Sequence, residues 1–131
     1  MKAYNFVGLT STEQVKFITE KEFSLTDLRK YVCEHFQINV DQFFSRDRSL
    51  SYAREMFLYL VFEKIRDKDI NYMSSLPSLL STYTRRDRTN CLHFKRMFEN
   101  ENHLYDTRIF NGVKFKDHYN KLLNNIKTLS L

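Results

Sequence analysis

Apolar residues recur along this chain at intervals of three and four, the spacing that gathers them on one face of a helix. Between residues 25 and 36 they are Leu25, Leu28, Val32 and Phe36. Further on they are Ala53, Phe57, Leu60, Val61 and Ile65, with Glu55, Lys64 and Arg66 off the stripe. That pattern predicts a long amphipathic helix packed against the core on one side. Polar residues mark the breaks. Thr10-Ser11-Thr12-Glu13 precedes Val15, Phe17 and Ile18 and reads as a capped short helix. Ser24-Leu25-Thr26-Asp27 has the form of a capping box with Asp in place of the longer Glu. Val40 to Phe44 predicts one further turn, and Ser45-Arg46-Asp47-Arg48-Ser49 a short basic break. Arg66-Asp67-Lys68-Asp69 ends the long helix. Ser75-Leu76-Pro77-Ser78-Leu79-Leu80 opens a short one, with Pro77 in its first turn, where a missing N–H is harmless. Thr82-Tyr83-Thr84 reads as a turn. Arg86 to Glu99 reads as a helix with Cys91, Phe94 and Phe98 inside and Arg86, Thr89, Asn90, His93 and Arg96 largely outside. Asn100 to Asn111 carries no clear pattern. After Gly112, Val113 to Leu129 predicts a final helix with Leu122, Leu123 and Ile126 inside. The expectation is an all-α chain of six or seven helices.

A length of 131 residues suits one compact domain. Two glycines (Gly8, Gly112) and one proline (Pro77) exclude a glycine-rich phosphate loop and a dinucleotide fingerprint, which need glycines where backbone N–H groups converge on phosphate. They also argue against an all-β protein rich in tight turns. No apolar run approaches a membrane span. Met1 to Phe6 lacks a long apolar stretch, so no secretory signal is expected. Cys33 and Cys91 do not make a disulfide framework, which points to a reducing cytoplasm. Cys33-Glu34-His35 and Cys91-Leu92-His93 could suggest a metal. Residues two apart on a helix point in nearly opposite directions, so neither pair converges on one ion. No nucleophile–base arrangement is present, and Glu55 and Glu63 read as helix-surface acids. The expectation is no catalysis, no cofactor and no metal.

Charge changes the picture. Lys and Arg total 21 against 16 acids, and the whole excess of +5 lies beyond residue 69. Arg85, Arg86, Arg88, Lys95 and Arg96 stand against Asp87 alone within residues 84–98. A cluster of one sign repels itself and suits an anionic partner, although a solvated helix face would look the same. Two helices joined by a tight turn, the second basic at its start, suggest a helix-turn-helix, whose second helix enters the major groove N-terminus first. The side chains there are Arg86, Asp87, Arg88, Thr89 and Asn90. Arg pairs bidentately with guanine, Asp accepts from the cytosine amino group, Asn pairs with adenine, and the Thr methyl packs on thymine. Three arginines at a helix start oppose the macrodipole, which favours acids there by about 0.3–1 kcal/mol each. Bound phosphates would remove the conflict. Thr84 and Asp87 could instead form a capping box.

Several segments in order resemble one family. Phe23-Ser24-Leu25-Thr26-Asp27 through Tyr31 to Val40, the basic Ser45 to Arg54, and Leu76-Pro77 followed by Arg86-Asp87-Arg88-Thr89-Asn90-Cys91-Leu92-His93 are similar to the C-terminal DNA-binding domain of the bacterial replication initiator DnaA. The hallmark of that family reads G-R-D-H-T-T-V-L-H. Tyr119 to Ser130 resembles its last helix. The resemblance implies an all-α helix-turn-helix domain of the DnaA C-terminal or Trp-repressor-like type over residues 23–131, with residues 1–22 as an extra N-terminal helical extension. It implies binding of duplex DNA at an asymmetric box. Arg48 matches the arginine that enters the minor groove, with Arg46 beside it, and a narrow groove concentrates the negative potential that draws such a side chain. Arg86 matches the hallmark arginine, and Asp87 and Thr89 match base readers.

The departures matter. Arg88 replaces a histidine and should favour guanine, and Asn90 replaces a threonine. Glu55-Met56-Phe57 replaces Pro-Arg-Gln. Leu50 stands where a basic residue is usual. Arg66 to Ser75 and Asn100 to Gly112 look like insertions, and the family's ATPase module is expected to be absent. The resulting expectation is a stand-alone, sequence-specific binder of double-stranded DNA in replication initiation or its regulation. It would be cytoplasmic and nucleoid-associated, with replication proteins as further partners and no nucleotide or membrane. Its DNA contacts would be Arg46, Arg48, Arg54, Arg85, Arg86, Asp87, Arg88, Thr89, Asn90, His93, Lys95 and Arg96. Arg46, Arg54, Lys95 and Arg96 would serve phosphates. The alternative is a protein-interaction module of the same fold with weakened or lost DNA binding.

Overall fold

A computed structural model describes residues 10–22, 24–66 and 72–129. Met1 to Phe6, Phe23, Asp67 to Asp69 and Ser130, which carried expectations above, lie outside the described residues. Seven α-helices and one small hairpin are found among the described residues. They are α1 (Ser11–Glu22), α2 (Leu25–Phe36), α3 (Val40–Phe44), α4 (Ser51–Ile65), α5 (Tyr72–Thr84), α6 (Arg88–Glu99), the strands β1 (Ile109–Phe110) and β2 (Val113–Lys114), and α7 (Phe115–Leu129). The expected all-α class is borne out.

Local chemistry sets the starts of α1, α2 and α3. Thr10 and Glu13 exchange side-chain and backbone hydrogen bonds at 2.9 and 3.1 Å, so the cap expected for α1 is a full capping box. The Ser24 hydroxyl accepts from the Asp27 N–H at 3.2 Å. Gln37 ends α2 in the left-handed region, with φ +58°. Asn39 and Gln42 cap α3 reciprocally, at 2.8 and 2.9 Å.

The centre of the molecule is α4. Every residue from Ala53 to Phe62 is buried, including Arg54 and Glu55. This corrects the one-sided helix expected from the stripe. Met56, Leu58, Tyr59 and Phe62 fall between the stripe positions and are apolar too, and a helix that is apolar all round is buried all round. The helices α2, α3, α6 and α7 pack about it, while α1 packs on α5 through Val15 and Ile18. Val15 belongs to the same hydrophobic cluster as the α4 residues.

Two boundaries move in the segment that matters for function. Helix α5 opens upstream, at Tyr72, so Pro77 lies inside it and not in its first turn. Thr82 to Thr84 are its last residues and not a turn. The connection is Arg85 to Asp87, and α6 begins at Arg88.

The stretch from Asn100 to Asn111, which carries no clear pattern, has regular structure. A short 3₁₀ helix, Asn102–Tyr105, leads to the hairpin, in which Ile109 pairs with Lys114 and Phe110 with Val113. Asn111 and Gly112 turn it with φ +52° and +78°, the left-handed pair that a two-residue hairpin needs. The final helix therefore starts at Phe115 and not Val113. The hairpin docks on the start of α4. Phe110 stacks on Tyr52 at 4.2 Å, and Arg108 pairs with Glu55 at 3.2 Å and Asp106 at 2.7 Å. Glu55, expected as a surface acid, is thus a buried anchor. His118 Nε2 donates to the Phe110 carbonyl at 2.6 Å, which leaves its Nδ1 to accept from His35 Nε2 at 2.8 Å and ties α2 to α7.

Candidate nucleic-acid interface

The corner where α3 ends, α4 begins and α6 begins collects the arginines. The loop from Ser45 leads into a 3₁₀ turn, Arg48–Leu50. The Asp47 carboxylate accepts from both the backbone N–H and the hydroxyl of Ser49, each at 2.9 Å. Those bonds hold its carboxyl below the usual range. Asp47 is therefore engaged in shaping the loop, and Arg46 and Arg48 on either side of it are exposed.

Arg54 has another fate. It is 8% exposed, and its Nη1 donates to the carbonyls of Phe43 and Ser45 at 2.8 and 2.7 Å. These are carbonyls at the end of α3 that the short helix cannot satisfy. Burial, followed by the charge of Arg86, lowers its pKa from the ordinary value. Arg54 is a buried bracket and leaves the expected phosphate-contact set. Lys95 leaves it too. It is 1% exposed and its Nζ meets Glu99 at 2.9 Å, one helical turn on.

Arg86 reaches the same corner from the other side. Its Nη2 donates to the carbonyls of Phe44 and Ser45, and its Nη1 to the carbonyl of Arg85 at 3.0 Å. It is half-buried, and burial followed by the charge of Arg46 lowers its pKa. So the side chain that matched the hallmark arginine is committed to backbone oxygens. The Ser45 carbonyl accepts from Arg54 and Arg86 together. This one oxygen ties α4, the basic loop and the α5–α6 turn into a single unit.

What the corner presents to solvent is narrower than the expected list. Asp87, Arg88 and Thr89 are exposed in the first turn of α6, and Asn90 is half-buried. The alternative Thr84–Asp87 capping box does not form. Thr84 is buried, its hydroxyl donates back to the Leu80 carbonyl at 2.9 Å, and the Asp87 side chain makes no cap hydrogen bond. That leaves the Asp87 carboxylate clear of its own helix end. Arg96 and His93 are exposed further along, with His93 edge-on to Phe94 at 5.0 Å.

Arg85 lies in the turn with φ +53°, exposed, its guanidinium carbon 4.1 Å from the centroid of the Phe44 ring. Arg29 of α2 lies 5.1 Å from the same ring. Neither Phe44 nor Arg29 was picked out from sequence. Arg29 lies four residues after Leu25 and three before Val32, on the flank of the α2 stripe, and the packing of α2 beside α3 brings it here. No family model matches the chain, and no solved structure matches it.

Proposed function

We propose that this chain binds double-stranded DNA, with the N-terminal turn of α6 in a major groove and the Arg46–Arg48 loop in the neighbouring minor groove. The observation that carries this reading is the shared Ser45 carbonyl. Two elements that must meet two grooves at once need a fixed separation, and Arg54 and Arg86 clamp both elements to one backbone oxygen. Arg88 would read guanine, Asp87 a cytosine amino group and Thr89 a thymine methyl. Arg48 would enter the minor groove, where narrow A/T-rich tracts attract arginine, with Arg46 beside it on phosphate. Arg85, Arg96 and His93 would position the protein on phosphates. Arg86 and Arg54 hold the surface together from behind. The resemblance to the DnaA C-terminal domain favours the same docking and suggests a role in replication initiation or its regulation, in the cytoplasm on the nucleoid.

The test is selection of bound duplexes from a random pool, followed by titration of the selected site at several salt concentrations. About four or five neutralised phosphates predict a log K against log salt slope near −4. Arg88→Ala should lower affinity for the selected site by about tenfold or more and relax the preference at one base pair. Weak, sequence-blind binding that Arg88→Ala leaves unchanged would overturn the reading.

A second reading is favoured by one observation. The 104–113 stretch leaves Leu104, Tyr105, Ile109 and Val113 exposed, Tyr105 by 75% and Ile109 by 66%. Apolar side chains in that number suit a protein partner. Light scattering with and without duplex separates the two: a self-associating chain with no duplex affinity would support the interaction module.

A further inference from the structure

We propose that Phe44 is an aromatic seat that holds the turn residue Arg85, with Arg29 beside it, as a phosphate clamp for the strand flanking the α6 site. The inference rests on the DNA-binding reading and adds to it two residues, Phe44 and Arg29, that the sequence did not single out.

The turn between α5 and α6 is three residues long, and its first residue takes φ +53°. An L residue in that region crowds its own Cβ against the backbone, whereas glycine enters it without cost. An arginine there is disfavoured twice, by the backbone and by the neighbouring charges of Arg86 and Arg88. The guanidinium is nonetheless well placed. Its carbon lies 4.1 Å from the Phe44 centroid, within the range where the ring quadrupole attracts a cation. Arg29 approaches the same ring at 5.1 Å and the Tyr83 ring at 5.7 Å, and its Nη1 donates to the Tyr83 carbonyl at 3.1 Å. Arg29 of α2 and Arg85 of the α5–α6 turn thus meet at one half-buried phenyl group of α3.

A guanidinium held over a ring face spends none of its hydrogen bonds on the ring, so its N–H donors stay available. Arg85 is exposed, so that edge reaches solvent. Holding the group over the ring in advance removes much of the ordering cost of binding. Two cations at one ring repel each other, and an anion between or beside them relieves that repulsion. The occupant that fits is a phosphodiester of the duplex, since Arg85 is three residues from Arg88 at the proposed groove contact.

The experiment uses the whole chain and its selected duplex, labelled for fluorescence anisotropy, over a salt series with thermal melts alongside. Arg85→Gly should weaken binding by about fivefold and flatten the salt slope by about 0.9, one phosphate contact. The melting temperature should hold or rise, because glycine relaxes the turn. Phe44→Leu keeps an apolar side chain without a π face. It should reproduce the loss seen in Arg85→Gly, and the double variant should lose no more than either alone. Arg85→Lys keeps the charge without the planar stack, and should weaken binding while retaining the slope. That arm stands even if Phe44→Leu is poorly folded. Parent binding with an Arg85→Gly variant of equal affinity and slope would overturn the clamp and leave the DNA reading in place. A parent chain that binds no duplex would overturn both.

Discussion

Lowering the pH towards 4 should destabilise this protein through one buried imidazole. His103 is 2% exposed and lies in an aromatic stack, its ring 4.8 Å from Phe98 and 5.0 Å from Tyr59, with Tyr119 edge-on at 4.7 Å. Its Nδ1 is buried and has no hydrogen-bond partner among the described residues. A proton added there would be a charge without solvent or acceptor. Burial above all, with the charge of Arg66 second, pushes its pKa down to about 4 from 6.5. The folded state therefore stays neutral across a range where the unfolded chain takes up a proton. Stability is full above the unfolded value and falls as the pH drops towards 4. Two and a half pKa units correspond to about 3 kcal/mol. A domain of this size has only about 5–15 kcal/mol in all. The assay is urea denaturation followed by far-UV circular dichroism at half-unit pH steps, for the parent and for His103→Phe. Phenylalanine preserves the stack and has no basic nitrogen. The parent should lose about 3 kcal/mol more than the variant between pH 7 and pH 4. His35, whose pKa is also lowered, by burial and by His118 and Lys121, adds a fall of the same sign in both proteins. Parallel curves would refute the argument that the His103 environment excludes a charge.

Arg54→Ala should cost about 1–3 kcal/mol of stability, since it leaves the Phe43 and Ser45 carbonyls without that donor, and urea melts will show it. A surface phosphate contact would instead lose affinity and leave the melt unchanged. Gly112→Ala should cost about 1 kcal/mol by thermal melting, because φ +78° is strained for alanine although open space surrounds the site. A neutral result would mean that the hairpin turn relaxes without loss.

Much of the fold is legible residue by residue. The caps at Thr10 and Ser24 and the stripe of α2 are contacts between residues three or four apart, and such contacts follow from local order. The hairpin was legible too. Asn111-Gly112 between apolar residues is a strong short-range hairpin signal, and a helical frame for the whole chain hid it. Lys95 and Glu99 are one turn apart on a helix, so their pairing is readable from spacing, whereas the burial that withdraws Lys95 from phosphate comes from packing.

The amino-acid order by itself determined that the chain is helical, where α1 and α2 begin, which stripe of α2 is apolar, and that positive charge gathers beyond residue 69. It could not say which arginine does what. Arg46, Arg48, Arg54, Arg85, Arg86 and Arg88 are alike as residue types in polar surroundings. Only the tertiary structure divides them, by bringing the Ser45 carbonyl to Arg54 from nine residues away and to Arg86 from 41 away, and the Phe44 ring to Arg85. Helical periodicity reports the face a residue occupies on its own helix. Whether a cation on that face meets water, a carbonyl or an aromatic ring depends on which distant segment packs there, and sequence spacing carries no record of that distance.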